Sequence, residues 1–98
     1  MAKLLIVDDE QIEREGLEAI LSRAYPELAI EQAKNGSEAV RLAEEFHPDL
    51  ILMDIKMPGM GGLEAIEIIS GKYPSMKFVM VTAFDTFDYA RQAIKLGV

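Results

Sequence analysis

The sequence predicts an α/β domain in which helices cover both faces of a parallel sheet, and three observations lead there. Short apolar runs recur along the chain, at Leu4-Leu5-Ile6-Val7, at Leu50 to Met53 and at Phe78-Val79-Met80-Val81. These runs are apolar throughout instead of alternating, the pattern of strands buried on both faces. Between them lie segments whose apolar residues fall at helical spacing, so strand and helix alternate in the order βαβαβαβα. Right-handed crossovers follow for such units.

Each element has its own justification. After the first strand, Asp8 to Gln11 offers a helix start, with Asp8 as a cap and Gln three residues on. Ile12, Leu17, Ile20, Leu21 and Ala24 then form an apolar stripe that Pro26 closes. Gly16 inside this helix costs about 1 kcal/mol relative to Ala. Residues 28–33 (LAIEQA) alternate weakly and predict a shorter, more exposed second strand. Asn35-Gly36 predicts a turn. Ala39, Val40, Ala43 and Phe46 mark one face of a second helix, ended by Pro48. The third strand, Leu50 to Met53, runs into Asp54 and a loop rich in Met, Pro and Gly. A third helix carries Leu63, Ile66 and Ile69 and breaks at Gly71 and Pro74. The fourth strand follows, then a last helix with Tyr89, Ala90, Ala93 and Ile94 that Gly97 stops.

Composition narrows the function. Ninety-eight residues make one small domain, and half of them are apolar, enough for a core. The net charge of −7 argues against a grip on nucleic acid or an anionic membrane by this domain, and fits basic partners or a divalent cation. There is no cysteine, and the single histidine, His47, cannot build a zinc site; it reads as a solvated helix cap. The N-terminal apolar run is far too short for a signal peptide, and no stretch has the length of a membrane span. These exclusions predict a soluble cytoplasmic domain.

Ligands of open parallel sheets bind at the carboxyl ends of the strands, where strand order reverses. The polar residues there are Asp8 and Asp9 after strand one, Asp54 after strand three and Thr82 after strand four. With strands one and three as neighbours, three carboxylates converge on a small volume. Like charges about 5 Å apart repel by roughly 3 kcal/mol at an effective dielectric of 20, so the group calls for a proton or a cation. An all-oxygen site suits Mg²⁺ or Mn²⁺. A carboxylate beside such an ion, with a hydroxyl nearby, can accept a phosphoryl group. Taken singly, the aspartates read as a cap or a loop acid and Thr82 as an ordinary strand-end hydroxyl; the combination outweighs its parts. The remaining acids of the first two helices read as solvated faces.

In "LLIVDDE" (4–10), "PDLILMDIKMPGMGGLEAI" (48–66) and "VMVTAF" (79–84) the chain resembles the receiver domain of two-component response regulators, along its whole length. The resemblance implies a flavodoxin-like (CheY-like) doubly wound sheet of strand order 2-1-3-4. It implies Asp54 as phosphoacceptor for a sensor histidine kinase, a switch and not an enzyme, although such domains catalyse their own phosphorylation and dephosphorylation. By the same resemblance Mg²⁺ (or Mn²⁺) is held by Asp9 directly, by Asp8 through water, by Asp54 and by the carbonyl of Lys56. Thr82 then bonds the phosphoryl group, and Ala83 leaves room for it. The segment "TAFDTFDYARQAIKLGV" is similar to receivers fused to AraC-type DNA-binding domains.

A receiver continues into a fifth strand, a lysine and a fifth helix, whereas this sequence stops at Val98. The reading is therefore a receiver domain over residues 1–98, shortened at its C-terminus. Strand four then becomes an apolar edge, with self-association through it or through the last helix expected. Two other classes compare poorly. A phosphohydrolase with an aspartyl intermediate carries its paired acids one residue apart after the first strand, unlike Asp8-Asp9. A scaffold that is not phosphorylated is the alternative on the same fold, disfavoured by the intact acids.

Overall fold

A computed structural model describes residues 2–54 and 61–81. Its elements are β1 (Lys3–Val7), α1 (Gln11–Ala24), β2 (Ala29–Ala33), α2 (Gly36–Phe46), β3 (Leu50–Asp54), α3 (Gly62–Lys72) and β4 (Lys77–Val81). The expected last helix lies outside the described residues. All strand pairs are parallel and the sheet order is β2-β1-β3-β4, as the resemblance implies.

Strand parity divides the core in two. Leu5, Val7, Ile51 and Met53 face one side, where Ala39 and Ala43 of α2 and Ala65 and Ile69 of α3 pack on them. Leu4, Ile6, Leu50 and Leu52 face the other, under Leu17 and Leu21 of α1. The small side chains of α2 let its backbone approach the sheet closely, while α1 reaches it through leucines. Because β1 and β3 are covered on both faces, a continuous apolar run is the only pattern their sequence could show.

Several expectations shift. Only Leu17 and Leu21 of the α1 stripe point clearly inward; Ile12 is 84% and Ile20 48% exposed. Leu63 is also solvent-facing, at 69% exposure, because it sits in the first turn of α3 on the side away from Ala65 and Ile69. The fourth strand is half-buried, not buried: Phe78, Val79 and Met80 all lie at intermediate exposure, and among the described residues β4 pairs only with β3. Gly71 does not break α3, which runs on to Lys72.

Asn35 is a cap and not a turn residue. Its Oδ1 accepts the Glu38 N–H at 2.8 Å, and Glu38 Oε1 accepts the Lys34 N–H at 3.0 Å, so the α2 start is satisfied from both directions. At the other end of α2, exposed His47 takes the left-handed conformation (φ 51°) and donates its N–H to the Ala43 carbonyl. Its ring meets Tyr73 edge-on at 5.5 Å. Asp49 ties this end of the sheet: its carboxylate accepts the Lys3 N–H, its own N–H goes to the Lys3 carbonyl, and its carbonyl accepts the Lys77 N–H.

Candidate functional site: an acid group at the switch point

The sheet order reverses between β1 and β3. From β1 the chain crosses to β2 on one side, and β3 lies on the other, which opens a crevice at their carboxyl ends. The register Val7↔Met53 sets Asp8 and Asp54 side by side as the next residues. Parity then chooses the face. Asp8 follows Ile6 by two residues and Asp54 follows Leu52 by two, so both aspartates belong to the α1 side of the sheet.

There they meet Glu13, in the first turn of α1. Carboxylate oxygens of Asp8, Glu13 and Asp54 all lie within 4.8 Å of one another. Helical side chains lean toward the N-terminus of their helix, which carries Glu13 back over the strand ends. Its carboxyl is pushed up to about 7, first by a hydrogen bond with Asp8, then by desolvation, then by the charges of Asp8, Glu10 and Asp54. The two aspartates are half-buried and Glu13 is exposed, so the group opens to solvent on one side.

Asp8 is not the helix cap that its position suggested. The helix starts at Gln11 with Glu10 as its cap residue, which makes no side-chain capping bond. Instead Asp8 Oδ1 accepts the Glu10 N–H at 2.9 Å, and the Asp8 N–H continues the sheet to the Ala33 carbonyl at 3.1 Å. This turn holds the aspartate at the mouth of the crevice and leaves the helix start to its backbone.

Of the sequence-predicted residues, Asp8 and Asp54 come together. Asp9 is exposed and stands outside the group of three. Lys56, Thr82 and Ala83 lie outside the described residues. The sequence reading missed Glu13, which it had placed on a solvated helix face. An available signal was its place in the first turn of the helix that directly follows an acidic strand end. Chemically, Asp8, Glu13 and Asp54 bring together three hard oxygen donors, the donor type that a small divalent cation takes. Among the described residues no helix is long and apolar enough to cross a membrane.

A doubly wound parallel sheet with carboxylates at its switch point defines the class of α/β domain whose ligand site lies at the carboxyl ends of the central strands. Within that class the chain belongs to the response regulator receiver domain family, whose description matches residues 4–98. It is 38% identical over 99 residues to the transcriptional regulatory protein YesN of Bacillus subtilis, a match covering all of this chain and 27% of that protein. Among solved structures, a two-component transcriptional regulator AraC from Clostridium phytofermentans superposes with a TM-score of 0.82 at 26% identity, covering 97% of this chain and 93% of that one. The response regulator TrrA of Thermotoga maritima, in complex with Mg²⁺ and BeF, gives 0.79 at 27% identity over 98% of this chain and 99% of that one. The chain spans less than half the length of the curated relatives it matches first.

Proposed function

We propose that this domain is a phosphorylation-controlled signalling switch whose phosphoacceptor is Asp54, working in the N-terminal part of a DNA-binding transcriptional regulator. The observation that carries the reading is the meeting of Asp54, at the end of the buried central strand β3, with the carboxylates of Asp8 and Glu13 within 4.8 Å. A nucleophile on a rigid strand keeps its position while the loops around it adjust.

The oxygen donors present fit Mg²⁺ or Mn²⁺, which Asp8, Asp9 and Asp54 would hold with the carbonyl of Lys56. When bound, such an ion supplies positive charge that offsets the charge of the incoming phosphoryl group. In the transfer, a carboxylate oxygen of Asp54 forms a bond to phosphorus. The P–N bond of a phosphohistidine on the sensor kinase breaks, and its electron pair returns to the imidazole. Thr82 bonds a phosphoryl oxygen and Ala83 leaves space beside it, by the family pattern of "VMVTAF". TrrA, which resembles this chain over nearly its whole length, binds Mg²⁺, in keeping with the same donor chemistry here.

The test is intact-mass analysis after incubation with acetyl phosphate and Mg²⁺. A single phosphoryl adduct that is absent from Asp54→Asn is the expected result. A folded protein that gains no adduct overturns the proposal and favours an interaction scaffold on the same fold.

A further inference from the structure

Arg14 lies one turn into α1, its N–H bonded to the Glu10 carbonyl, and its half-buried guanidinium turns back over the end of β1. One terminal nitrogen donates to the backbone carbonyl of Asp8 at 2.7 Å, and Nε donates to Gln32 Oε1 of β2 at 3.1 Å. Gln32 Nε2 in turn donates to Glu18 Oε1 at 2.8 Å, on the second turn of α1. Four acids lie within four residues of Arg14 on the chain, at Glu10, Glu13, Glu15 and Glu18. Yet these two bonds go to neutral carbonyl oxygens. The arginine therefore works here as a fork that joins two neighbours at fixed angles, a geometry that a point charge does not impose.

The oxygen it grips belongs to a residue of the acid group. Asp8 is thereby fastened at three atoms: its N–H by Ala33, its carbonyl by Arg14 and its Oδ1 by the Glu10 N–H. With the peptide groups on both sides of its Cα held and Oδ1 tied to the Glu10 N–H, the residue has little freedom to rotate its carboxylate away from Asp54. We infer that Arg14 is a positioning residue of the acid site, fixing the Asp8 carbonyl against Gln32 of β2 and so setting where the Asp8 carboxylate stands relative to Asp54. The inference rests on the reading of this group as the cation-dependent phosphoacceptor site.

Arg14→Lys separates position from charge, since lysine keeps the positive charge and loses the planar fork. The first measurement is the side-chain carboxyl ¹³C resonance of Asp8 in the metal-free protein. It is expected to move in Arg14→Lys, and to move in Gln32→Leu in the same direction. The second is the Mg²⁺ dissociation constant by titration calorimetry, taken well below each variant's melting temperature so that lost stability cannot enter. Arg14→Lys is expected to bind roughly tenfold more weakly, the lower end of what outer-shell partners of metal ligands contribute. The double variant is expected to bind no more weakly than Arg14→Lys alone, because both substitutions cut one chain of bonds. An unchanged Asp8 resonance together with wild-type Mg²⁺ affinity in Arg14→Lys overturns the inference and leaves Arg14 as a helix–strand tie. If the wild-type protein binds no Mg²⁺, the proposed function fails, and the Asp8 resonance alone still decides the role of Arg14.

Discussion

Replacing Glu13 with Gln removes one negative charge from the acid group while keeping the side chain's shape and its capacity to hydrogen-bond Asp8. The group's oxygens lie within 4.8 Å of one another, so each pair of ionised carboxylates repels by about 0.9 kcal/mol even in the dielectric of water. Glu13 is exposed, so this screened value applies and not the several-fold larger one of an interior site. With two charged neighbours, full ionisation of Glu13 costs the metal-free protein about 1–2 kcal/mol. The sign follows from the raised pKa, about 7 against an ordinary 4.5. Between those values the folded protein holds a proton that the unfolded chain has released. The associated stability is complete below about pH 4.5 and lost as pH rises through about 7. Thermal melts followed by circular dichroism, with a chelator present, should then show Glu13→Gln melting above wild type at pH 8. The gain should be roughly 4–8 °C for each kcal/mol in a domain of this size. At pH 5, where Glu13 already carries its proton, the two melts should nearly coincide. Millimolar Mg²⁺ at pH 8 should narrow the gap by neutralising the group. A variant that melts at or below wild type at pH 8, or gains equally at pH 5, refutes the electrostatic reasoning.

Other substitutions test the frame that holds the site. Ile51→Ala empties a fully buried position in the central strand and should lower stability by about 2–5 kcal/mol in urea unfolding; a loss under 1 kcal/mol would show that the α2–α3 side collapses to fill the gap. Asn35→Ala removes the bond to the Glu38 N–H and should cost about 1 kcal/mol, with Asn35→Ser recovering most of it. A Cβ at Gly16 would meet nothing within 4 Å, so Gly16→Ala should stabilise by up to about 1 kcal/mol; destabilisation would point to a contact on that face of α1.

The strands that build the site could be read almost to the residue, because burial on both faces makes Leu4–Val7 and Leu50–Met53 unbroken apolar runs up to the acids that follow. The helix faces were harder. Ile12 and Leu63 fit a helical stripe by spacing alone, but each sits exposed in the first turn of its helix, and periodicity does not register which turns are covered. Asn35-Gly36 carries the signature of a turn and of a helix cap alike; the Glu three residues on was the deciding signal. The aspartates of the site were visible because they end strands. Glu13 was marked only by its place in the first turn after an acidic strand end, and Arg14 by nothing local, because its contacts with Asp8 and Gln32 are tertiary. Asp8 shows the same limit: its carboxylate serves the loop through the Glu10 N–H, where sequence logic assigned it to the helix.

The even–odd division of the strands has a consequence for how this site can change over time. Inserting one apolar residue between Leu50 and Asp54 would leave composition, strand propensity and the acidic terminus of the run untouched. It would nonetheless turn the carboxylate through the sheet, toward the α2–α3 side, and part it from Asp8 and Glu13. Odd insertions and deletions inside β1 or β3 are thus silent to any count of chemical groups and ruinous to their meeting. The spacing inside these two strands behaves as a counted quantity, kept by the two-sided burial that surrounds it.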